Sequence, residues 1–151
     1  MWKIQEWKLT YIPKEINPKK VLDVGAGIGC VYRKFLEKLG EYVSLDIIDS
    51  KDFDHVWNIT KGLPQFKDKE FGLVWCSEVL EHIPQSKQEF VVDELVRVAN
   101  KVILFFAMPS PTFHSDPEHR EVIVDWSKYN PELVYDKWSI LRDNCTRVVV
   151  I

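Results

Sequence analysis

Near its start the chain places acids and glycines at spacings suited to holding a small ligand. In Val21 to Cys30, VLDVGAGIGC, Asp23 is followed by Gly25, Ala26, Gly27 and Gly29. Glycines at alternate positions let a backbone turn sharply and approach a ligand more closely than any Cβ allows. The diphosphate fingerprint is G-x-G-x-x-G, whereas here the third glycine arrives one residue early and Asp23 sets a negative charge against a diphosphate. A nicotinamide dinucleotide is disfavoured on both counts. A ligand with an ammonium group and no phosphate suits the loop better. A second acid, Asp46, stands about twenty residues past the first glycine, where a carboxylate can accept from both hydroxyls of a ribose. S-adenosylmethionine carries an ammonium and a ribose and has no phosphate.

Two further groups have the types needed to move a proton. His82 follows Glu81 in CSEVLEH, and His114, Asp116 and His119 fall together in HSDPEH. His82, His114 and His119 are the candidate catalytic residues, as base or substrate contact. Two imidazoles and a carboxylate within six residues also have the makings of a metal set, but Pro117 breaks any regular ligand spacing, so no metal site is expected.

The elements that must position these residues alternate. Val21, Leu22 and Val24 read as a strand, the glycines as a turn, and Val31, Tyr32, Phe35, Leu36 and Leu39 as a helix ended by Gly40. Tyr42 to Leu45 is a strand running into Asp46, with a brief strand following at Asp54 to Trp57. Phe71 to Trp75 is a buried strand. Ser86 to Val98 is a helix with Ser86 as N-cap and Phe90, Val91, Leu95 and Val98 on one face. Lys101 to Ala107 is a central strand, and Trp138 to Ile151 reads as two strands joined at Asp143-Asn144. The expected fold class is α/β: a Rossmann-like, mostly parallel sheet with a C-terminal antiparallel hairpin and helices on both faces. Residues 1–151 are expected to form one domain, with 1–19 a lead-in segment and 108–127 a substrate-side loop at the strands' C-terminal ends.

Four segments in order, VLDVGAGIGC (21–30), YVSLDI (42–47), WNITKGLP (57–64) and FGLVWCSEVLEHIP (71–84), resemble the class I S-adenosylmethionine-dependent methyltransferases. The EVLEH segment is similar to the group acting mostly on small molecules. The resemblance implies that Asp23, Gly25, Ala26, Gly27 and Gly29 line the methionine end. Asp46 and Ile47 would take the ribose, Asn58 and Ile59 the adenine, and Cys76, Ser77 and His82 would close the pocket. Phe71-Gly72 departs from the Phe-Asp usual in the family, and Asn58 replaces a more usual Asp. The Asn58 carbonyl can still accept from an exocyclic amine. The resemblance implies methyl transfer to oxygen or nitrogen, with a small-molecule acceptor. The Asn/Asp-Pro-Pro-aromatic motif of amino-group methylation is absent, as is a Pro-Cys pair after a strand. The rival is a silent methyltransferase-like subunit that activates a partner enzyme. A partner subunit or a macromolecular substrate is a further candidate for completing the acceptor wall.

Composition limits the rest. With 151 residues the chain can build one real core. No apolar run has the length to cross a bilayer, and MWKIQEWKLTY lacks the apolar core of a signal peptide. Three widely spaced cysteines with no C-x-x-C pair suggest reduced thiols and a cytoplasmic setting. Residues 1–40 hold eight Lys or Arg against four acids, while 41–94 hold five against twelve. A solvated helix face accounts for Arg33, Lys34 and Lys38, so charge does not require nucleic acid.

Overall fold

The computed structural model describes residues 5–108, 119–139 and 144–151; His114 and Asp116 lie outside them. Seven strands form a single sheet: β1 (Lys20–Val24), β2 (Glu41–Asp46), β3 (His55–Val56), β4 (Phe71–Ser77), β5 (Ala99–Met108), β6 (Leu133–Ser139) and β7 (Asn144–Val150). Their order across the sheet is β3-β2-β1-β4-β5-β7-β6. The first five pair in parallel, and β7 runs antiparallel between β5 and β6. This is the expected Rossmann-like arrangement with its closing hairpin. β6 begins at Leu133, ahead of the expected Trp138, because its pairing with β7 extends to Leu133 opposite Val150.

Alternation along the strands sends residues to two apolar layers. Leu22, Val24, Val74, Val102, Leu104 and Phe106 pack with Val91, Val92, Leu95 and Val98 of α3 (Gln85–Val98). Val21, Leu73, Trp75, Ile103 and Phe105 pack on the opposite face with Tyr32, Leu36 and the partly buried Trp7 and Tyr11. That second layer lies under two short helices, α1 (Glu6–Leu9) and α2 (Arg33–Leu36).

Several local expectations need correction. The N-cap of α3 is Pro84, with no side-chain cap, so Ser86 sits inside the first turn. Phe90 is 42% exposed, and the buried stripe is instead Gln88, Val91, Val92, Leu95 and Val98. The helix after the glycine turn is only one turn long and ends ahead of Gly40. Gly40 is required for a different reason: a Cβ there would stand 2.2 Å from the Pro18 carbonyl oxygen.

Gly72 has a similar explanation. A Cβ at this position would lie 2.5 Å from Pro18 Cβ and 2.6 Å from Pro18 Cα. The carboxylate usual in the family is missing because the lead-in segment occupies its space. Gly72→Asp is therefore expected to destabilise the fold by about 2 kcal/mol through overpacking. Urea denaturation checks this, and an unchanged midpoint would contradict it.

Candidate functional site

β1, β2 and β4 run parallel, so their C-terminal ends present the glycine loop, Asp46 and Ser77 along one edge of the sheet. In an open parallel sheet this edge is where ligands bind. The loop is fastened to β2 by Gly25 N–H and Ala26 N–H, which both donate to the Leu45 carbonyl at 2.8 and 3.3 Å. Asp46 completes the fastening. Its Oδ2 accepts from Gly27 N–H at 2.9 Å, and its Oδ1 accepts from Ile48 N–H at 3.0 Å. Gly25 has φ +69°, and a Cβ there would stand 2.2 Å from Val79 Cγ2, so the loop and the turn after β4 are in direct contact. Gly27 and Gly29 face open space, with nothing within 4 Å of an added Cβ. An open depression of about 330 Å³ borders the end of this loop against Gly29, Cys30, Arg33, Lys51 and Asp52.

Asp23 sits at the end of β1 and is 2% exposed. Tyr42 Oη donates to its Oδ2 at 2.7 Å, and the Arg33 guanidinium stacks 4.9 Å from the Tyr42 ring centre. Burial pushes the Asp23 carboxyl up to about 7, against the lowering effect of the Tyr42 hydrogen bond. A carboxylate this costly to ionise is poised for a cationic partner. Arg33 is thus more than part of a solvated helix face, because it covers the tyrosine that holds Asp23.

A buried lysine approaches the same edge from α1. Lys8 is 1% exposed, and its ammonium donates to Ser77 Oγ at 2.8 Å and pairs with Glu78 Oε1 at 2.5 Å. It also lies 5.2 Å from the Phe105 ring centre. Glu78 takes φ +58°, a conformation uncommon for a residue with a side chain and often kept at functional sites. Neither Lys8 nor Tyr42 was expected from the sequence. Their only signal there is a lysine and a tyrosine among apolar neighbours.

Other expected residues play different parts. Asn58 caps the short turn Ile59–Lys61: its carbonyl oxygen accepts from Thr60 N–H at 3.0 Å and Thr60 Oγ1 at 2.8 Å. The acceptor expected for an exocyclic amine is therefore engaged, and the amide donors remain. Ile59 and Cys76 pack their side chains into the core beside α3, where burial raises the Cys76 thiol well above its ordinary range. Ile47 is 65% exposed beside Asp46. All three cysteines are free thiols in the structure. Trp126 stacks on Phe106 at 5.6 Å, so this aromatic serves packing.

Just past β4, the turn Leu80–His82 brings Glu81 and His82 against His119. Glu81 is fully buried; its Oε1 accepts from Ala107 N–H at 2.9 Å, and its carboxyl is pushed up to about 9 by burial and the neighbouring Glu78. The His82 and His119 rings meet edge to face at 4.7 Å.

Glycine turn, paired acids and strand order together define a nucleoside-binding methyltransferase type of Rossmann-like domain. A family model described as "Methyltransferase domain" matches residues 22–105, and the chain belongs to that family, the class I S-adenosylmethionine-dependent methyltransferases. A protein of Oryza sativa subsp. japonica named "Probable tocopherol O-methyltransferase, chloroplastic" is 29% identical over 87% of this chain. The alignment spans 37% of that relative's length. Among solved structures, an S-adenosylmethionine-dependent methyltransferase from Archaeoglobus fulgidus is similar with a TM-score of 0.68 at 15% identity, covering 97% of this chain and 92% of the other. Magnesium protoporphyrin IX methyltransferase from Synechocystis, with bound S-adenosylhomocysteine, has a TM-score of 0.63 at 16% identity, covering 86% and 72%. At these identities the two structures share the fold.

Proposed function

We propose that this chain transfers a methyl group from S-adenosylmethionine to an oxygen or nitrogen nucleophile of a small molecule. The observation that carries the reading is Asp23: a buried carboxylate beside a glycine turn, repelling a diphosphate and suited to an ammonium. When bound, S-adenosylmethionine supplies a methyl group already activated on a sulfonium. Asp23, set in place by Tyr42, pairs with the amino group of the methionine end. Gly27 and Gly29 leave the loop surface open for close approach. Each Asp46 oxygen spends one lone pair on the loop backbone and keeps another for a ribose hydroxyl. The Asn58 amide group donates to a ring nitrogen of the base.

The reacting atoms need mainly alignment. Positioning of this kind supplies on the order of 7 to 11 kcal/mol, and a proton acceptor adds roughly 10²- to 10⁴-fold when the nucleophile must lose a proton. His82 and His119 stand at the edge where an acceptor enters, beyond β4, and are the candidates for receiving that proton. The O-methyltransferase name of the rice relative favours a hydroxyl acceptor. The carboxylate missing at Gly72 would suit a silent subunit, but the closeness of Pro18 supplies a packing reason for the glycine instead.

The test is methyl transfer with labelled S-adenosylmethionine against cell-extract fractions separated into small molecules, lipid, RNA and protein, with calorimetry of S-adenosylhomocysteine alongside. Stoichiometric binding with label in the small-molecule or lipid fraction is the expected result. Absence of binding, or label confined to RNA or protein, would refute the reading.

A further inference from the structure

We infer that Glu81, His82 and His119 form a binding site for one divalent transition-metal ion at the acceptor side of the sheet edge. One donor atom from each of the three residues lies within 4.8 Å of the others. In a tetrahedral site with bonds of about 2.1 Å, donors stand ~3.4 Å apart, so small side-chain rotations close the set. Two imidazoles and a carboxylate suit zinc, manganese or iron(II), and are a poor set for calcium.

A second, independent feature marks the position. Glu81 is 0% exposed, and no N–H or hydroxyl among the described residues donates to its Oε2, beside which stands a second carboxyl, Glu78. An orphaned buried carboxylate oxygen is costly, and an ion in contact with it removes that cost. The other oxygen is fixed by Ala107 N–H, which orients the group as outer hydrogen bonds orient metal ligands.

His119 is held to the turn by backbone ties rather than by chance proximity. Arg120 N–H donates to the Glu81 carbonyl at 2.6 Å, and Arg120 Nη1 donates to the His82 carbonyl at 2.9 Å. Beyond them Gln88 donates to the Glu121 carbonyl at 3.1 Å and accepts from Ile123 N–H at 3.0 Å. These four bonds bring residues 120–123 of the substrate-side loop onto the Leu80–His82 turn. A buried glutamine on α3 serves as the clamp.

Three protein ligands leave open coordination positions. On the methyl-transfer reading above, on which this role rests, the acceptor hydroxyl occupies one of them. With the ion bound, His82 and His119 serve as ligands in place of acting as the base, and coordination releases the hydroxyl proton to solvent. The oxygen then forms the O–C bond, and the electron pair of the broken S–C bond stays on sulfur. Ion binding itself does not depend on that role.

The experiment titrates chelator-treated protein with Zn²⁺ by calorimetry and with Co²⁺ by visible absorption, for the natural chain, Glu81→Gln and His119→Ala. One ion per chain is expected, with a cobalt spectrum of nitrogen and oxygen ligands, and at least 10-fold weaker binding in each variant. His119→Ala guards against misfolding of the buried Glu81 variant, and His55→Ala should bind as the natural chain does. No stoichiometric binding, or equal binding by His119→Ala, overturns the site. S-adenosylhomocysteine titrated in parallel separates the two readings: an ion bound without nucleoside leaves the metal site standing and removes the methyl-transfer role.

Discussion

Asp23→Asn is expected to bind S-adenosylmethionine about 100-fold more weakly than the natural chain while being no less stable at pH 8. Truncating one partner of a buried charge pair costs about 2–5 kcal/mol, and the asparagine cannot supply the charge. Stability moves the other way because no ligand offsets the buried charge in the free protein. The carboxyl is raised from 3.8 to about 7 by burial. Between these values the folded chain keeps a proton that the unfolded chain has released. Its contribution to stability is therefore greatest below about pH 4, falls as pH rises towards 7, and is level above. Asparagine lacks this loss. Melting temperatures of the two proteins from pH 4.5 to 8 should diverge in favour of the variant as pH rises, and a constant difference would contradict the assignment. Cofactor affinity of the natural chain should rise over the same interval, as the carboxylate becomes available without paying for ionisation.

Asp46→Ala is expected to lose at least 100-fold in cofactor affinity and about 2 kcal/mol of stability. Unlike Asp23, this side chain already has protein partners in the free state: the Gly27 and Ile48 N–H groups. Removing both acceptors leaves two loop donors unsatisfied or exposed to water, at roughly 1–3 kcal/mol if buried. The loop then keeps its two backbone bonds to the Leu45 carbonyl but loses its side-chain tie to β2 together with the ribose acceptor. Asp46→Asn, which retains one carbonyl acceptor, should fall between the two. Paired calorimetry and urea denaturation distinguish the contributions; an affinity loss with no change in stability would show that the loop stands without Asp46.

The two acids differ in how far they could be read in advance. Asp46 was visible as a carboxylate ending a strand at a set distance from a glycine turn, and the structure puts it at the end of β2 against Gly27 N–H. Asp23 was visible as an acid beside that turn, but the burial that raises its carboxyl depends on Tyr42 across the strand pair and on Arg33 above the ring. Helix details were the least legible. Ser86 and Phe90 fit a periodic pattern, yet Pro84 starts the helix and Gln88 fills the inward place, because a buried amide there ties down the backbone of Glu121 and Ile123. The departure at Gly72, visible in the sequence without a reason, is a steric accommodation of Pro18.

What the sequence determined on its own is local: a glycine turn between strand and helix, an acid on either side of it, and alternating apolar runs that make a parallel sheet. Neighbours along the chain share these signals, because turn conformation and burial period act over a few residues. Tertiary structure alone decided which distant side chains meet. Lys8 reaches Ser77 and Glu78 only because α1 lies over the end of β4, 69 residues further along the chain. His119 reaches Glu81 and His82 only because Arg120 and Gln88 bring its segment back to the sheet. Such contacts leave little trace in sequence, since a polar side chain reads as solvated until the elements around it remove the water.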